Sequence, residues 1–421
     1  MSEDCLFLNI FTPNDETTEE NGPHGSPVMV WIHGGALTVG ESDDYFPTKL
    51  VQQGHVIVVT MNYRLGALGF LAHPALSAES PDHISGNYGI MDQQFALRWV
   101  QRNIAAFGGD PQNVTIFGQS AGGLSVFSHL ASPAAAGLFR RAIIQSVAYG
   151  LSLPTLSDEE SHGMAFAVSV GCKDQSARCL RSKSVKKILA NWGIFDSAAN
   201  VDGKVLVQSL DAAFAGGQFN HVPLMQGTTH DEWRFFVDPI TAEDYPLVVQ
   251  DMVGPDAAPL VLAEYPLDSF DSPALAVGAL GTDSIFACPA RAADRALSTQ
   301  VPTFAYEFND SNAPEIYLPP VGFPYGAAHA TELQYLFELP QSVDLNAGQI
   351  DLSGNMIRYW TQFAKSGNPN APGLPFWPRY DNAGDRFQSL VPPSPLPEFG
   401  FATDHKCDFW AGLFAARAGN K

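Results

Sequence analysis

Positive charge is scarce in this chain: its 421 residues carry 23 Lys and Arg against 44 Asp and Glu, a formal net charge of -21. Nucleic-acid binding needs clustered Lys and Arg to displace phosphate counterions, so that class of partner is excluded. The acidic excess reads as a solubility feature, with attraction of cationic substrates as the alternative. Charged residues make up only 16% and hydrophobic ones 45%, the balance of a globular protein with a large buried core. No apolar run approaches the length of a bilayer span, so the chain reads as soluble, without a transmembrane segment. A leader is missing too, because Met1 is followed at once by Ser2, Glu3, Asp4 and a strand-like LFLNIF. A chain that begins inside a strand is expected to lack something upstream. Internal repeats and low-complexity linkers are absent, and the length suits one continuous sheet, so a single domain over 1–421 is expected. The five cysteines leave one over. Cys172 and Cys179 are close enough to close a small loop, while Cys5, Cys288 and Cys407 lie far apart. Spacing alone is as consistent with free thiols as with disulfides, and paired cysteines would favour an oxidising compartment.

What is present is an alternation of short apolar strands with helix-compatible runs. Cys5 to Thr12 reads as a strand, followed by a polar loop from Pro13 to Pro27. Val28 to Ile32 (VMVWI) and Val56 to Met61 (VIVVTM) are continuous apolar runs of the length of buried strands. Tyr88 to Phe107 has helical spacing, with Ile90, Phe95, Leu97, Trp99, Val100 and Ile104 as its apolar positions. Ala142 to Ser146 and Val222 to Gln226 follow as strands, and Thr303 to Phe308 (TFAYEF) is the last convincing one. A helix is expected from Met356 to Lys365, then a Pro-rich tail. This order predicts an α/β protein whose mostly parallel central sheet is flanked by helices.

The chain is organised around VTIFGQSAGGLSVFSHL, Val114 to Leu130: a strand, a sharp turn and a helix, with G-Q-S-A-G at the turn. A reactive serine belongs on such a turn, where the backbone is strained and neighbours two residues away must lack bulk. Gly118 and Gly122 meet that demand around Ser120. Roughly 0.1 to 0.2 matches to G-x-S-x-G are expected by chance in a chain of this length, so the pentapeptide needs partners. A serine hydroxyl becomes nucleophilic only when a base takes its proton, and the base needs an orienting carboxylate. In this kind of fold the chain order is serine, acid, histidine. Asp231 and Glu232 sit after a late strand, and His329 is the one histidine between Thr303 and His405. His405, in the tail, is the second choice of base, and His230 is read as a surface loop residue. Backbone N–H groups must also meet the charge that develops on the ester oxygen. Gly34-Gly35-Ala36 after VMVWI, with the N–H of Ala121 directly after the serine, are the obvious donors.

Taken together, SEDCLFLNI, VWIHGGA, NYRLGALGFL, GNYGIMDQQFALRWVQRNIAAFGGDP, VTIFGQSAGG, HDEWRFF and GAAHATELQYLF, in this order and over nearly the whole chain, resemble the type B carboxylesterase/lipase family. That family includes cholinesterases and bacterial p-nitrobenzyl esterases. The resemblance implies an α/β-hydrolase fold and a serine carboxylesterase working through an acyl-enzyme, without metal or organic cofactor, on a small-molecule ester. It makes Ser120 the nucleophile, Glu232 rather than Asp231 the acid, and His329 the base. Gly35, Ala36 and Ala121 become the oxyanion donors, Ser146 a residue behind the acid, and Arg64 with Asp92 an ion pair that holds the loop. It also implies disulfides Cys172 with Cys179 and Cys288 with Cys407, which favour a secreted or periplasmic protein with a cytoplasmic one as the alternative, and a partner for Cys5 upstream of residue 1. Relative to the family the N-terminal part of the domain is absent, Trp233 replaces the glycine after the acid, and Gln145-Ser146-Val147 replaces QSG. Ala36 in H-G-G-A resembles members whose broad oxyanion turn admits bulky alcohols. The competing readings are a lipase on longer acyl chains and a catalytically silent, neuroligin-like binding module.

Overall fold

The computed structural model describes residues 3–14, 25–147 and 151–418. They fall into two compact units, Met1–Gln145 with Gly150–Leu224 and Thr361–Asn368, and Ser146–Tyr149 with Met225–Trp360 and Pro369–Lys421.

In the first unit, strands β1 (Leu8–Phe11), β2 (Ser26–Ile32), β3 (Ile57–Met61), β4 (Gly109–Gln119) and β5 (Arg141–Gln145) are ordered β1-β3-β2-β4-β5. Only β1 runs antiparallel, against β3. Every residue of β2 and β3 is buried, as a parallel sheet covered on both faces requires, and that is why their sequences do not alternate. Helix Ala121–Ala131, which follows the serine turn, is buried along all its length despite Ser125, Ser128 and His129. Its hydroxyls are satisfied within the helix, Ser125 Oγ donating to the Ala121 carbonyl at 3.0 Å and Ser128 Oγ to that of Leu124 at 2.9 Å.

That polar content explains a departure from the periodic reading of helix Tyr88–Asn103. Ile90, Leu97, Val100 and Ile104 are buried as expected, but Phe95 is 63% exposed and Gln93 and Gln94 take core positions. Gln93 donates to Ser125 at 3.0 Å and contacts His129 Nε2 at 2.9 Å, and Gln94 donates to Ser132 at 3.0 Å. Buried polar groups on one helix select polar partners on the next, because leaving them unpaired costs about 1–3 kcal/mol each.

In the second unit the order is β6 (Leu224–Thr229), β7 (Thr303–Phe308), β8 (Phe387–Leu390) and β9 (Leu396–Glu398). Strand β6 starts two residues later than the expected Val222–Gln226 and extends beyond it through Gly227 to Thr229. TFAYEF is not the last strand, since β8 pairs parallel with it and β9 antiparallel with β8. The helix expected at 356–365 runs from Ala347 to Ser366. Asn346 and Gln349 start it by reciprocal side-chain-to-backbone bonds of 3.0 and 3.1 Å. The Pro-rich tail ends in a helix, Cys407–Ala418.

One expectation needs correction. The helical stretch Pro273–Leu297 is long and apolar enough to cross a bilayer, although 61% of its most apolar window is buried. Ala276, Val277, Leu280, Phe286 and Leu297 all lie in the core. Both expected disulfides are formed, Cys172–Cys179 and Cys288–Cys407, and Cys5 is free. The second bridge spans 119 residues, worth about 4–5 kcal/mol if its effect is restriction of the unfolded chain.

Burial holds two histidines of the first unit neutral. It lowers the pKa of His33, at the end of β2, to about 4 and that of His129 to about 3. Both values lie below the ordinary one, so each histidine's contribution to stability is complete above about pH 6.5 and is lost as pH falls toward the folded pKa. Each histidine therefore adds to the urea unfolding free energy an acid limb of up to about 1.4 kcal/mol per pH unit between about pH 6.5 and 5, opposed in the same window by the raised carboxyls of Glu398 and Asp294. His129→Gln should flatten that acid limb, and an unchanged slope in the variant would refute this account.

Candidate active site

Ser120 stands where β4 passes into helix Ala121–Ala131, with φ 58° and ψ -125°. A non-glycine residue in this region costs about 1–3 kcal/mol and persists only when its surroundings fix it. Here Ser120 N–H donates to the Gln145 carbonyl and the Ser120 carbonyl accepts from Leu124 N–H, both at 2.9 Å. The flanking glycines are required by contact. A Cβ on Gly122 would lie 1.9 Å from the Ile32 carbonyl oxygen, and one on Gly118 would lie 2.6 Å from the Gly122 carbonyl carbon.

The turn after β2 runs beside this serine: a Cβ on Gly34 would lie 3.1 Å from Ser120 Cβ. Gly35, Ala36 and Leu37 all have positive φ, at 99°, 54° and 56°. The turn is closed by Thr38 and Val39 N–H groups, each 2.9 Å from the Gly35 carbonyl. Ala121 occupies the first helical position, where the N–H has no intrahelical acceptor. Behind the turn, the buried His33 ring donates from Nδ1 to the Gly34 carbonyl at 2.8 Å and stacks on Tyr63 at 4.6 Å. The Tyr63 hydroxyl donates to the His33 carbonyl at 2.8 Å. The expected pair of Arg64 and Asp92 is formed and bidentate, with N–O distances of 2.7 and 2.8 Å.

The acid and the histidine belong to the second unit. Glu232 is fully buried, and its Oε2 lies 2.5 Å from His329 Nδ1. Its Oε1 accepts from Thr228 Oγ1 at 2.6 Å and from Thr229 N–H at 2.8 Å. Burial alone pushes the carboxyl upward, but His329, Ser146 and Thr228 together outweigh it and hold the pKa below the ordinary carboxylate value. Ser146 contributes from a buried position with positive φ, although its hydroxyl closes no hydrogen bond of good geometry. Such a pair can fix one imidazole tautomer and stabilise the imidazolium. Asp231 does other work. It joins two loops through Ala327, whose N–H it accepts at 2.9 Å and whose carbonyl takes its own N–H at 2.9 Å, and it pairs with Arg234 at 2.8 Å.

Phe235, Phe236 and Phe286 wall His329, with ring centroids at 5.7, 5.2 and 5.2 Å. Sequence reasoning missed Thr228, Thr229 and Phe286. Phe286 carries no motif and arrives because the stretch Pro273–Leu297 makes a π turn at Thr282–Ala287, a distortion common at functional sites. Trp233 braces this turn. Its N–H donates to Thr282 Oγ1 at 2.9 Å, and its ring lies 5.0 Å from Phe236 and 6.2 Å from Phe286. The indole fills a notch left by Gly281, where a Cβ would fall 2.0 Å from Trp233 Cγ.

His405 is held too firmly to act as a base. Its Nδ1 lies 2.6 Å from Asp283 and its Nε2 2.5 Å from Glu307, so both nitrogens donate. Burial opposes its charge, but the two carboxylates keep its pKa well above the ordinary value. His230 lies against it at 5.3 Å, and its Nδ1 is 3.2 Å from Asp231, a tie the surface-loop reading did not anticipate. His230, Glu307 and His405 bring ligand atoms within 4.8 Å of one another, yet a metal there would have to displace the His405–Glu307 bond.

The notch predicts a double-mutant result. Gly281→Ala should cost about 1–3 kcal/mol in urea unfolding by overpacking against the indole. The same substitution should cost little in a Trp233→Ala background, where the clash has no partner. Equal costs in both backgrounds would show that the contact is not the cause.

Comparison with known proteins agrees with these features. The profile of the Carboxylesterase family matches residues 1–410. An acylcarnitine hydrolase of Mus musculus is 37% identical over 423 residues, 94% of this chain and 72% of that protein. A fumonisin B1 esterase of Sphingopyxis macrogoltabida is 35% identical over 404 residues, 91% of this chain and 72% of its own length. Among solved structures a PNB esterase superposes with a TM-score of 0.80 at 33% identity, covering 96% of this chain and 85% of that one. The chain belongs to the carboxylesterase family: it is a carboxylic ester hydrolase with the α/β-hydrolase fold.

Proposed function

We propose that Ser120 is the nucleophile, His329 the general base and Glu232 the orienting acid, with Gly35, Ala36 and Ala121 N–H groups as oxyanion donors. The observation that carries this reading is the contact of 2.5 Å between His329 Nδ1 and a fully buried, ionised Glu232. With Nδ1 engaged by the acid, Nε2 takes the Ser120 proton as Oγ attacks the ester carbonyl. The tetrahedral oxyanion is met by the backbone donors, each worth about 2.7–4 kcal/mol of transition-state stabilisation. His329 returns the proton to the leaving alcohol, and an acyl-Ser120 ester remains. Water, deprotonated by the same nitrogen, then releases the acid and restores the serine. Ser146 supports the charge of Glu232 from behind.

The substrate class is a small apolar carboxylic ester. The phenylalanine wall beside His329 favours uncharged groups, and the turn at Ala36 suits bulky alcohols. Relatives named acylcarnitine hydrolase, pyrethroid hydrolase and fumonisin B1 esterase are in keeping with a small-molecule ester as substrate. The two disulfides support a secreted or periplasmic location.

Ser120→Ala should abolish turnover of p-nitrophenyl acetate and labelling by a fluorophosphonate while leaving the unfolding midpoint unchanged; a variant that still turns over sinks the assignment. Glu232→Gln should lower kcat by about 10³–10⁴-fold. Across p-nitrophenyl esters from acetate to hexadecanoate, kcat/KM should peak at short to medium chains. A maximum at dodecanoate or longer would make the protein a lipase instead.

A further inference from the structure

We infer that Ser197 and Trp192 are positioning residues for the oxyanion turn, acting on it through Thr38. The inference rests on the proposed donor role of Gly35 and Ala36.

Ala36 and Leu37 are consecutive non-glycine residues with φ of 54° and 56°, outside any regular element. Two such residues in a row store strain of about 1–3 kcal/mol each, so the turn keeps its shape only if neighbouring contacts impose it. A chain of three hydrogen bonds does so. Trp192 Nε1 lies 2.9 Å from Ser197 Oγ, Ser197 Oγ lies 2.9 Å from Thr38 Oγ1, and Thr38 Oγ1 lies 3.1 Å from the Ala36 carbonyl.

Proton bookkeeping gives this chain one direction. The Ala36 carbonyl can only accept and takes the one proton of Thr38, so Ser197, which accepts from the indole N–H, must donate its own to Thr38. Thr38, having accepted, spends its own proton on the Ala36 carbonyl. Each donation makes the next hydroxyl a better donor. With its side chain fixed at both ends, Thr38 aims its backbone N–H at the Gly35 carbonyl, 2.9 Å away, which Val39 N–H also reaches at 2.9 Å. That carbonyl shares its peptide with Ala36 N–H. Two bonds on the oxygen polarise the same group that is proposed to face the oxyanion.

Trp192 is itself anchored. It meets Phe166 edge-on at 5.0 Å, within the apolar cluster that includes Cys172, Leu180 and Ile188. It also covers Gly66, where a Cβ would lie 3.6 Å from its Cδ1, and Gly66 N–H donates to the Leu37 carbonyl at 2.8 Å. Trp192 therefore reaches the turn by two routes, through Ser197 to Ala36 and through Gly66 to Leu37. None of the chain's side chains needs to touch the substrate.

The test uses the whole enzyme with p-nitrophenyl butyrate and a trifluoromethyl ketone that mimics the tetrahedral state. Ser197→Ala and Thr38→Val should each lower kcat by about 10-fold, the worth of one hydrogen bond, with KM within about two-fold of the parent. Ketone affinity should fall in proportion to kcat/KM, because the loss is confined to the transition state. Thr38→Ser should keep full activity, and the double variant should be no worse than either single one. Should Ser197→Ala fail to fold, Thr38→Val and Trp192→Phe give the same readout. Unchanged kcat in these variants, or a loss confined to KM, overturns the inference. Those results beside an inactive Ser120→Ala would leave the active-site reading intact, whereas an active Ser120→Ala would remove both.

Discussion

An ionised carboxylate with no exposed surface is the constraint on which the second unit is built. Removing Glu232 from water costs several kcal/mol unless its lone pairs find donors, and the chain supplies them from two places. Thr228 and Thr229 come from the end of β6 and His329 from a position 97 residues further along the sequence, while Ser146, in the segment after β5, adds an electrostatic contribution. The loops bearing acid and base are then tied by Asp231 through both backbone groups of Ala327. The second buried histidine shows how fine the control is. His405 is bonded to carboxylates at both nitrogens, which locks its protons in place and makes it a structural cation. Glu232 engages His329 at Nδ1 and, by the proposal above, leaves proton transfer to Nε2.

Backbone strain follows the same residues. Ten non-glycine residues among those described have positive φ, and five of them are Ala36, Leu37, Ser120, Ser146 and Ala330. Each either has a proposed role or adjoins a residue that has one. A serine on a relaxed helix or strand would place its hydroxyl in the core.

This explains which parts were legible in the sequence. Motifs that need a special backbone leave local traces: Gly118 and Gly122 around Ser120, and H-G-G-A after an apolar run. Fully buried parallel strands such as β2 and β3 are legible for the same local reason. The polar groups that satisfy buried charge leave no periodic trace. Phe95, read as an apolar position of its helix, is exposed, while the burial of Gln93 and Gln94 is decided by Ser125, His129 and Ser132 on another stretch of chain. Thr228 stood outside the expected strand because β6 extends past Gln226, and Phe286 was hidden because its position depends on one extra residue in a helical turn. Strands β8 and β9 are too short to stand out of a Pro-rich tail.

Trp233 belongs to the walls, not to the charge machinery. Trp233 follows directly after the acid, yet every polar contact of Glu232 is made by other residues. The indole fits there because Gly281, on a separate helix, leaves a notch for it beside Phe286 and Phe236. Charge stabilisation tolerates no missing donor, since an unpaired buried group costs more than the bond contributes. Apolar walls tolerate exchange as long as volume is conserved. Divergence in substrate choice is therefore expected in residues such as Trp233, Phe236 and Phe286, while Thr228, Glu232 and His329 stay fixed by electrostatics.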